Sequence, residues 1–383
     1  MRARPVIALT LIAVAVAVTW PLPVAMARGD VIGHPIGDLA DHAEKLCVVR
    51  GMSMDTLTHE VGRRRFLTGR PPAGLQAKGS SLATVLADRL GGGEPIPNLS
   101  VRVESYNDGF ETWASGIRVS SVEDLVRALS PAPDSLSGDE QAVIDALLAE
   151  YGACPGAQRA TAVREGLSAR SAAQDLVRLG LDARFDFGAN TAEMQALRDL
   201  YGIGSDLSSA SAQSAAAVTA ITSGISRCVS IEIASGLDTH GPEWASYHGP
   251  SMEDGFDLMA AILSDLEGRE YGNTGESWLS RTTVVGFSEF GRSTLLNSSG
   301  GRDHFIHNAC VLAGGGVRGG QVIGASSDLG MTPQEVDLAT GEVDLQGGTT
   351  IKPEHVFRAL LEGVGVEDDV AGLEAEALTA IHG

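Results

Sequence analysis

The sequence predicts an α/β fold: a mostly parallel sheet with helices on both faces, interrupted by a helical insertion over about 121–223. Short β-branched runs alternate with amphipathic helical stretches from about residue 229 onward, the rhythm of strand–helix–strand units. The 47 glycines against 5% aromatic residues suit a loop-rich α/β chain better than an aromatic-rich sandwich. Of 383 positions, 43% are hydrophobic and 20% charged, enough apolar material to exclude a disordered or collagen-like chain. At about 100–200 residues per domain, the length fits one large domain, expected over 28–383.

Leu46 to Arg50 is a short apolar run stopped by Gly51 and reads as a buried strand. His59 to Leu67 is helix-like and is stopped by Thr68-Gly69-Arg70-Pro71-Pro72. Ser80 and Ser81 cap a helix running to about Leu90, and Leu99 to Val103 alternates like a strand. Within the insertion, Val122 to Leu129 and Ala142 to Leu148 carry apolar residues at helical spacing. The Ser/Ala-rich tract from Leu207 to Val218 reads as a small-residue helix or, by composition, a linker. Beyond it, Val229–Ala234, Thr282–Phe287, Ala309–Leu312 and Val322-Ile323 read as strands, and Met252–Leu266 as a helix. Val336 to Leu345 is expected to form a hairpin turning at Thr340-Gly341, and Pro353 to open a helix reaching about Leu361.

Arg2 and Arg4 precede an apolar run from Val6 to Trp20, and Ala25-Met26-Ala27 follows two prolines. This is the pattern of an export leader over 1–27, cleaved after Ala27, which places the protein in the periplasm or outside the cell. The run falls short of the roughly 20 apolar residues a spanning helix needs, so no stable membrane span is expected after cleavage. The net charge of −21 disfavours nucleic acid as a partner, because an acidic surface repels a phosphate backbone. Cys47, Cys154, Cys228 and Cys310 include no Cys-x-x-Cys pair, which leaves buried free thiols or a disulfide open. The oligomeric state is not legible.

Ionisable residues gather just after the expected strands, the edge where open α/β sheets bind ligands. Asp238 and His240 follow one strand, Glu289 and Arg292 another, and Asp303 and His304 precede a third. Carboxylates and histidines on adjacent strand ends suit a divalent cation, zinc, manganese or calcium. Read singly, Asp238-Thr239-His240 is also a capped turn, and Glu289 with Arg292 an ordinary ion pair.

Leu237-Asp238-Thr239-His240, Ser288-Glu289-Phe290-Gly291-Arg292, Gly301-Arg302-Asp303-His304 and the segment Ala313 to Gly320 together resemble the domain-of-unknown-function 1501 family. These exported bacterial proteins are grouped with the alkaline phosphatase and sulfatase superfamily. The resemblance implies an alkaline phosphatase-like fold and a metal-dependent hydrolase acting on a small anionic phosphate or sulfate ester. It implies Asp238, His240, Glu289, Asp303 and His304 as metal ligands or their supports, with Phe290 standing where the superfamily has a histidine. It also implies a reacting group at Thr58 and His59, with Arg292 assisting and Arg64 holding the anion. At a helix N-terminus, Thr58 is equally an ordinary cap. The family normally begins with a strand ending in Gly-Gly-x-Asp, which this chain lacks, so the resemblance suggests an N-terminally shortened relative. With that strand missing, a non-catalytic scaffold or binding protein is the alternative reading.

Overall fold

The computed structural model describes residues 8–13, 23–25, 31–33, 36–131, 136–367, 369 and 371–382. Most of the expected leader lies outside these residues. The strands are β1 (Ala8–Ala13), β2 (Pro23–Ala25), β3 (Val31–Gly33), β4 (Leu46–Ser53), β5 (Asn98–Val101), β6 (Ile117–Val119) and β7 (Cys228–Glu232). They continue with β8 (Thr282–Phe287), β9 (Gly291–Arg292), β10 (His304–Phe305), β11 (His307–Gly314), β12 (Gln321–Ile323), β13 (Glu335–Val336) and β14 (Thr349–Thr350). The helices are α1 (His59–Thr68), α2 (Leu82–Leu90), α3 (Val122–Leu129), α4 (Gly138–Ala153) and α5 (Pro155–Arg159). After these come α6 (Thr161–Arg178), α7 (Ala192–Tyr201), α8 (Ala210–Thr222), α9 (Gly249–Gly268) and α10 (Pro353–Gly363).

Eight strands form one sheet in the order β12-β4-β11-β8-β1-β7-β5-β6. Every strand in it runs parallel except β11, which pairs antiparallel with both β4 and β8. The alternation of strand side chains divides the core in two, as the pleat requires. Val229, Ile231, Val284, Val311 and Ala313 pack with helices α3, α7, α8 and α9 on one face. Cys228, Val285, Phe287, Cys310 and Leu312 pack with α1, α2 and α10 on the other. Phe66 of α1 stacks on Phe287 with ring centroids 3.7 Å apart, which fixes α1 against the sheet.

The Ser/Ala tract is helix, not linker: α8 is buried along nearly its whole length because its small side chains let it lie close to the sheet. By contrast, α4 and α6 contain no buried residue, and Val143, Leu147 and Tyr151 are exposed on α4. The helical pattern there marks an element without marking a core face. The hairpin expected over Val336 to Leu345 forms as a short one: Val336 bridges Val343 antiparallel, and the amides of Asp337 and Asp344 donate to the carbonyls of Glu342 and Glu335. Asp337 accepts hydrogen bonds from the amides of Ala339 and Thr340, which closes its turn, and on its other side β13 pairs with β14. The four cysteines form no disulfide with one another, and Cys47, Cys228 and Cys310 are fully buried. Among the described residues, no helix is long and apolar enough to cross a membrane.

Candidate metal centre

The C-terminal ends of β7 and β8, the N-terminus of α1 and the loop before β10 converge on one point. Asp238 leaves the loop after β7, and its Oδ1 atom is the centre of the cluster. His240 Nε2 lies 2.9 Å from that oxygen, His304 Nε2 3.0 Å and His59 Nε2 3.2 Å. Arg292 Nη2 donates to the same oxygen at 2.7 Å.

The far side of each imidazole is already committed. His59 Nδ1 lies 2.7 Å from Glu289 Oε1, His240 Nδ1 2.9 Å from Asp303 Oδ1, and His304 Nδ1 2.7 Å from the Leu57 carbonyl. All three partners are acceptors, so each Nδ1 carries the proton, and a ring with no second proton turns a lone pair inward through Nε2. Lone pairs then face a carboxylate oxygen at hydrogen-bond distance. The His59 Nε2 atom is shut off from solvent and has no hydrogen-bond partner despite its 3.2 Å approach to Asp238. A proton on each Nε2 would crowd three imidazolium charges beside the Arg292 guanidinium. One divalent cation satisfies the set with less charge, and carboxylate- or carbonyl-backed histidines are the usual supports of metal sites. His59, Asp238 and His304 form the inner set, their donor atoms all lying within 4.8 Å of one another. His240 stands beside them, its Nε2 also accepting from Arg292 Nη1 at 3.2 Å.

The electrostatics follow from these contacts. Burial pushes the Asp238 carboxyl up, but its contacts with His304 and Arg292 outweigh it and hold the group well below the usual carboxylate range. The hydrogen bond to Glu289 raises His59 above its ordinary value. Burial opposes ionisation of Glu289, yet the His59 hydrogen bond brings it below its usual value.

The structure places the expected residues as follows. His59, expected among the reacting groups, lies with Asp238 and His304, while Glu289 and Asp303 lie against the far nitrogens of His59 and His240. Thr58 is the exposed N-cap of α1 and makes no side-chain capping bond. Arg292 is 4% exposed and is bound to Asp238 and to the Leu237 and Arg302 carbonyls, which makes it a brace for the cluster. Arg64 turns away to the Tyr106 hydroxyl at 3.0 Å and Glu104 at 3.4 Å. Phe290 is buried, with its ring 4.3 Å from His304 and 4.9 Å from His59, forming an apolar wall.

A cavity of about 400 Å³ opens beside the cluster, lined by His59, Arg63, Glu232, Asp238, Glu289 and Phe290 among others. In the sequence Arg63 reads only as one member of the basic run Arg63-Arg64-Arg65, able to bind an anion or to form a solvated face; it sits four residues after His59 on α1 and so projects on the same side. Arg65 is committed elsewhere, to the Gly69 carbonyl and Glu354. A larger cleft of about 1090 Å³ shares Glu232, Ala234 and Ser235 with this cavity, but Asp38, Asp41, Asp206, Asp254 and Asp257 line it. That wall repels anions.

The family described as "Protein of unknown function (DUF1501)" matches residues 13–343. The chain belongs to the DUF1501 family. No curated protein matches it in sequence. Among solved structures, Ps i-CgsB in complex with a neocarrahexaose aligns over 98% of this chain and 75% of that one, with 9% identity and TM-score 0.42. The alkaline phosphatase of the Antarctic bacterium TAB5 aligns over 82% and 91%, with 11% identity and TM-score 0.34. A protein solved with its substrate D-glucosamine-2-N,6-O-disulfate aligns over 98% and 80%, with 12% identity and TM-score 0.38. Likeness at this level does not fix a function; the argument for this DUF1501 protein rests on its own side chains.

Proposed function

We propose that this DUF1501 protein is a metal-dependent hydrolase of small phosphate or sulfate esters. The observation that carries the reading is the convergence of three histidine Nε2 atoms on one Asp238 oxygen, each with its Nδ1 committed behind it. An imidazole-rich set suits zinc better than manganese or calcium, which prefer oxygen donors. Bound there, such a cation polarises an ester oxygen and lowers the pKa of a water.

The chain's own residues supply the rest. Arg63 lines the cavity and is exposed, so its guanidinium is placed to hold the anionic group, with the fields of Glu232 and Glu289 tempering its charge. Phe290 covers one side of His59 and His304 and keeps bulk water off them. Arg292 and the two orienting carboxylates hold the donors in place before any substrate arrives. Thr58 does not line the cavity, and Ser288 is tied to Asn308 and the Phe290 carbonyl. Water is therefore the preferred attacking group.

Elemental analysis of the purified chain, followed by assay on p-nitrophenyl phosphate and p-nitrophenyl sulfate, tests the reading. Near-stoichiometric zinc or manganese is expected, lost in the Asp238→Ala, His304→Ala double variant together with turnover. Metal retained by the double variant rejects the assignment. A metal-loaded chain inert on both esters would favour the scaffold alternative, which the absence of a committed hydroxyl in the cluster also supports.

A further inference from the structure

We infer that residues 8–13 stay in the folded protein as its central strand, and that the metal cluster depends on them although they contribute no ligand. The inference rests on the metal reading only for that second consequence. Part of the apolar run that reads as the core of an export leader, Ala8–Ala13, forms β1. It pairs with β7 from Leu9↔Cys228 to Ala13↔Glu232, and with β8 from Ala8↔Thr282 to Ala13↔Phe287. Strands β7 and β8 meet only through it. Without β1 the sheet divides into β12-β4-β11-β8 and β7-β5-β6, and two strands buried in the interior face each other with unpaired amides and carbonyls. The family match begins at residue 13, the last residue of β1.

Neighbouring strands lie about 4.8 Å apart, so β1 holds β7 and β8 at about twice that distance. The two strand ends carry the two halves of the cluster: Asp238 follows β7, and Glu289 follows β8. The His59 ring bridges them, with Nε2 3.2 Å from Asp238 and Nδ1 2.7 Å from Glu289. If β7 and β8 closed up to pair directly, the gap would shrink by about 4.8 Å and the ring would have no room. If the slot stayed open, nothing would fix its width.

Four purified chains test this: the full chain, a chain lacking residues 1–27, and two full-length chains with Ala8–Ala13 replaced. One replacement is six valines, which preserve a buried parallel strand. The other is an alternating Gly-Ser hexapeptide, which does not. The readout is hydrogen exchange at Val229–Ile231 and Thr283–Val285, which needs no metal. The full and six-valine chains should protect these amides, and the other two should exchange them at least about 100-fold faster. Intact mass of the folded full chain should include residues 8–13. Equal protection in the chain lacking 1–27, fast exchange in the six-valine chain, or a folded protein recovered from its host starting at Arg28 would each overturn the inference. A protected full chain that binds no zinc or manganese would sink the metal reading alone and leave the strand assignment standing.

Discussion

At the scale of single residues, the cluster works because each histidine has one nitrogen held so that the other is aimed. Glu289→Gln keeps an acceptor opposite His59 but removes its charge. It should weaken zinc binding by about 10–100-fold in calorimetric titration while leaving the fold intact. Arg63→Ala should behave differently: metal content stays near wild type, and KM for an aryl phosphate rises more than kcat falls, because the residue is placed at the cavity and not in the donor set. A second residue-scale effect lies away from the cluster. Burial holds His307 neutral, with its pKa pulled down to about 4 from 6.5. The unfolded chain takes up that proton first, so stability falls as pH drops from about 6.5 to about 4. The loss levels off below, once both states are protonated. The full effect is on the order of 3 kcal/mol. His307→Gln should flatten the dependence of the urea midpoint on pH across that window.

At the scale of elements, the position of α1 decides whether His59 reaches the cluster. Two contacts set it. Gly62 lets the helix approach the loop after β8 so closely that a Cβ there would sit 2.6 Å from the Glu289 carbonyl oxygen. At the other end of α1, Arg65 is 1% exposed and donates to Glu354 of α10 at 2.6 Å. Gly62→Ala should push α1 outward and lower metal affinity by more than its effect on the melting temperature would suggest. Arg65→Met leaves Glu354 without its buried partner and should destabilise the chain by about 3–5 kcal/mol in urea unfolding. Both sites were hidden in the sequence, where Arg63, Arg64 and Arg65 read as one basic run. Helical geometry sends the three in different directions: Arg63 to the cavity, Arg64 to Tyr106 and Arg65 into the core.

At the scale of the whole molecule, the cluster joins segments far apart in the chain, from His59 to His304. A ligand that binds only this assembled state stabilises it by mass action, by about 2.7 kcal/mol at 100 times its Kd. Adding EDTA to the metal-loaded protein should therefore lower its melting temperature, and returning zinc should restore it. The Asp238→Ala, His304→Ala variant should show no such response. A melting temperature of the wild type indifferent to EDTA and zinc would mean that the four segments are held together by packing alone.

The sequence by itself determined the alternation of strands and helices, the sheet edge that carries Asp238, His240, Glu289 and His304, and the membership in DUF1501. These are local signals: a run of apolar residues, a capping serine, or a polar cluster after a strand can be read within a few residues. What only the tertiary structure decided is which nitrogen faces which oxygen. Glu289 meets His59 Nδ1 because α1 lies against the loop after β8, a contact between residues 230 apart in the chain. The apolar run near the N-terminus shows the same limit. A leader core and a strand in the middle of a parallel sheet both call for apolar residues, so composition serves both, and only the slot between β7 and β8 distinguishes them.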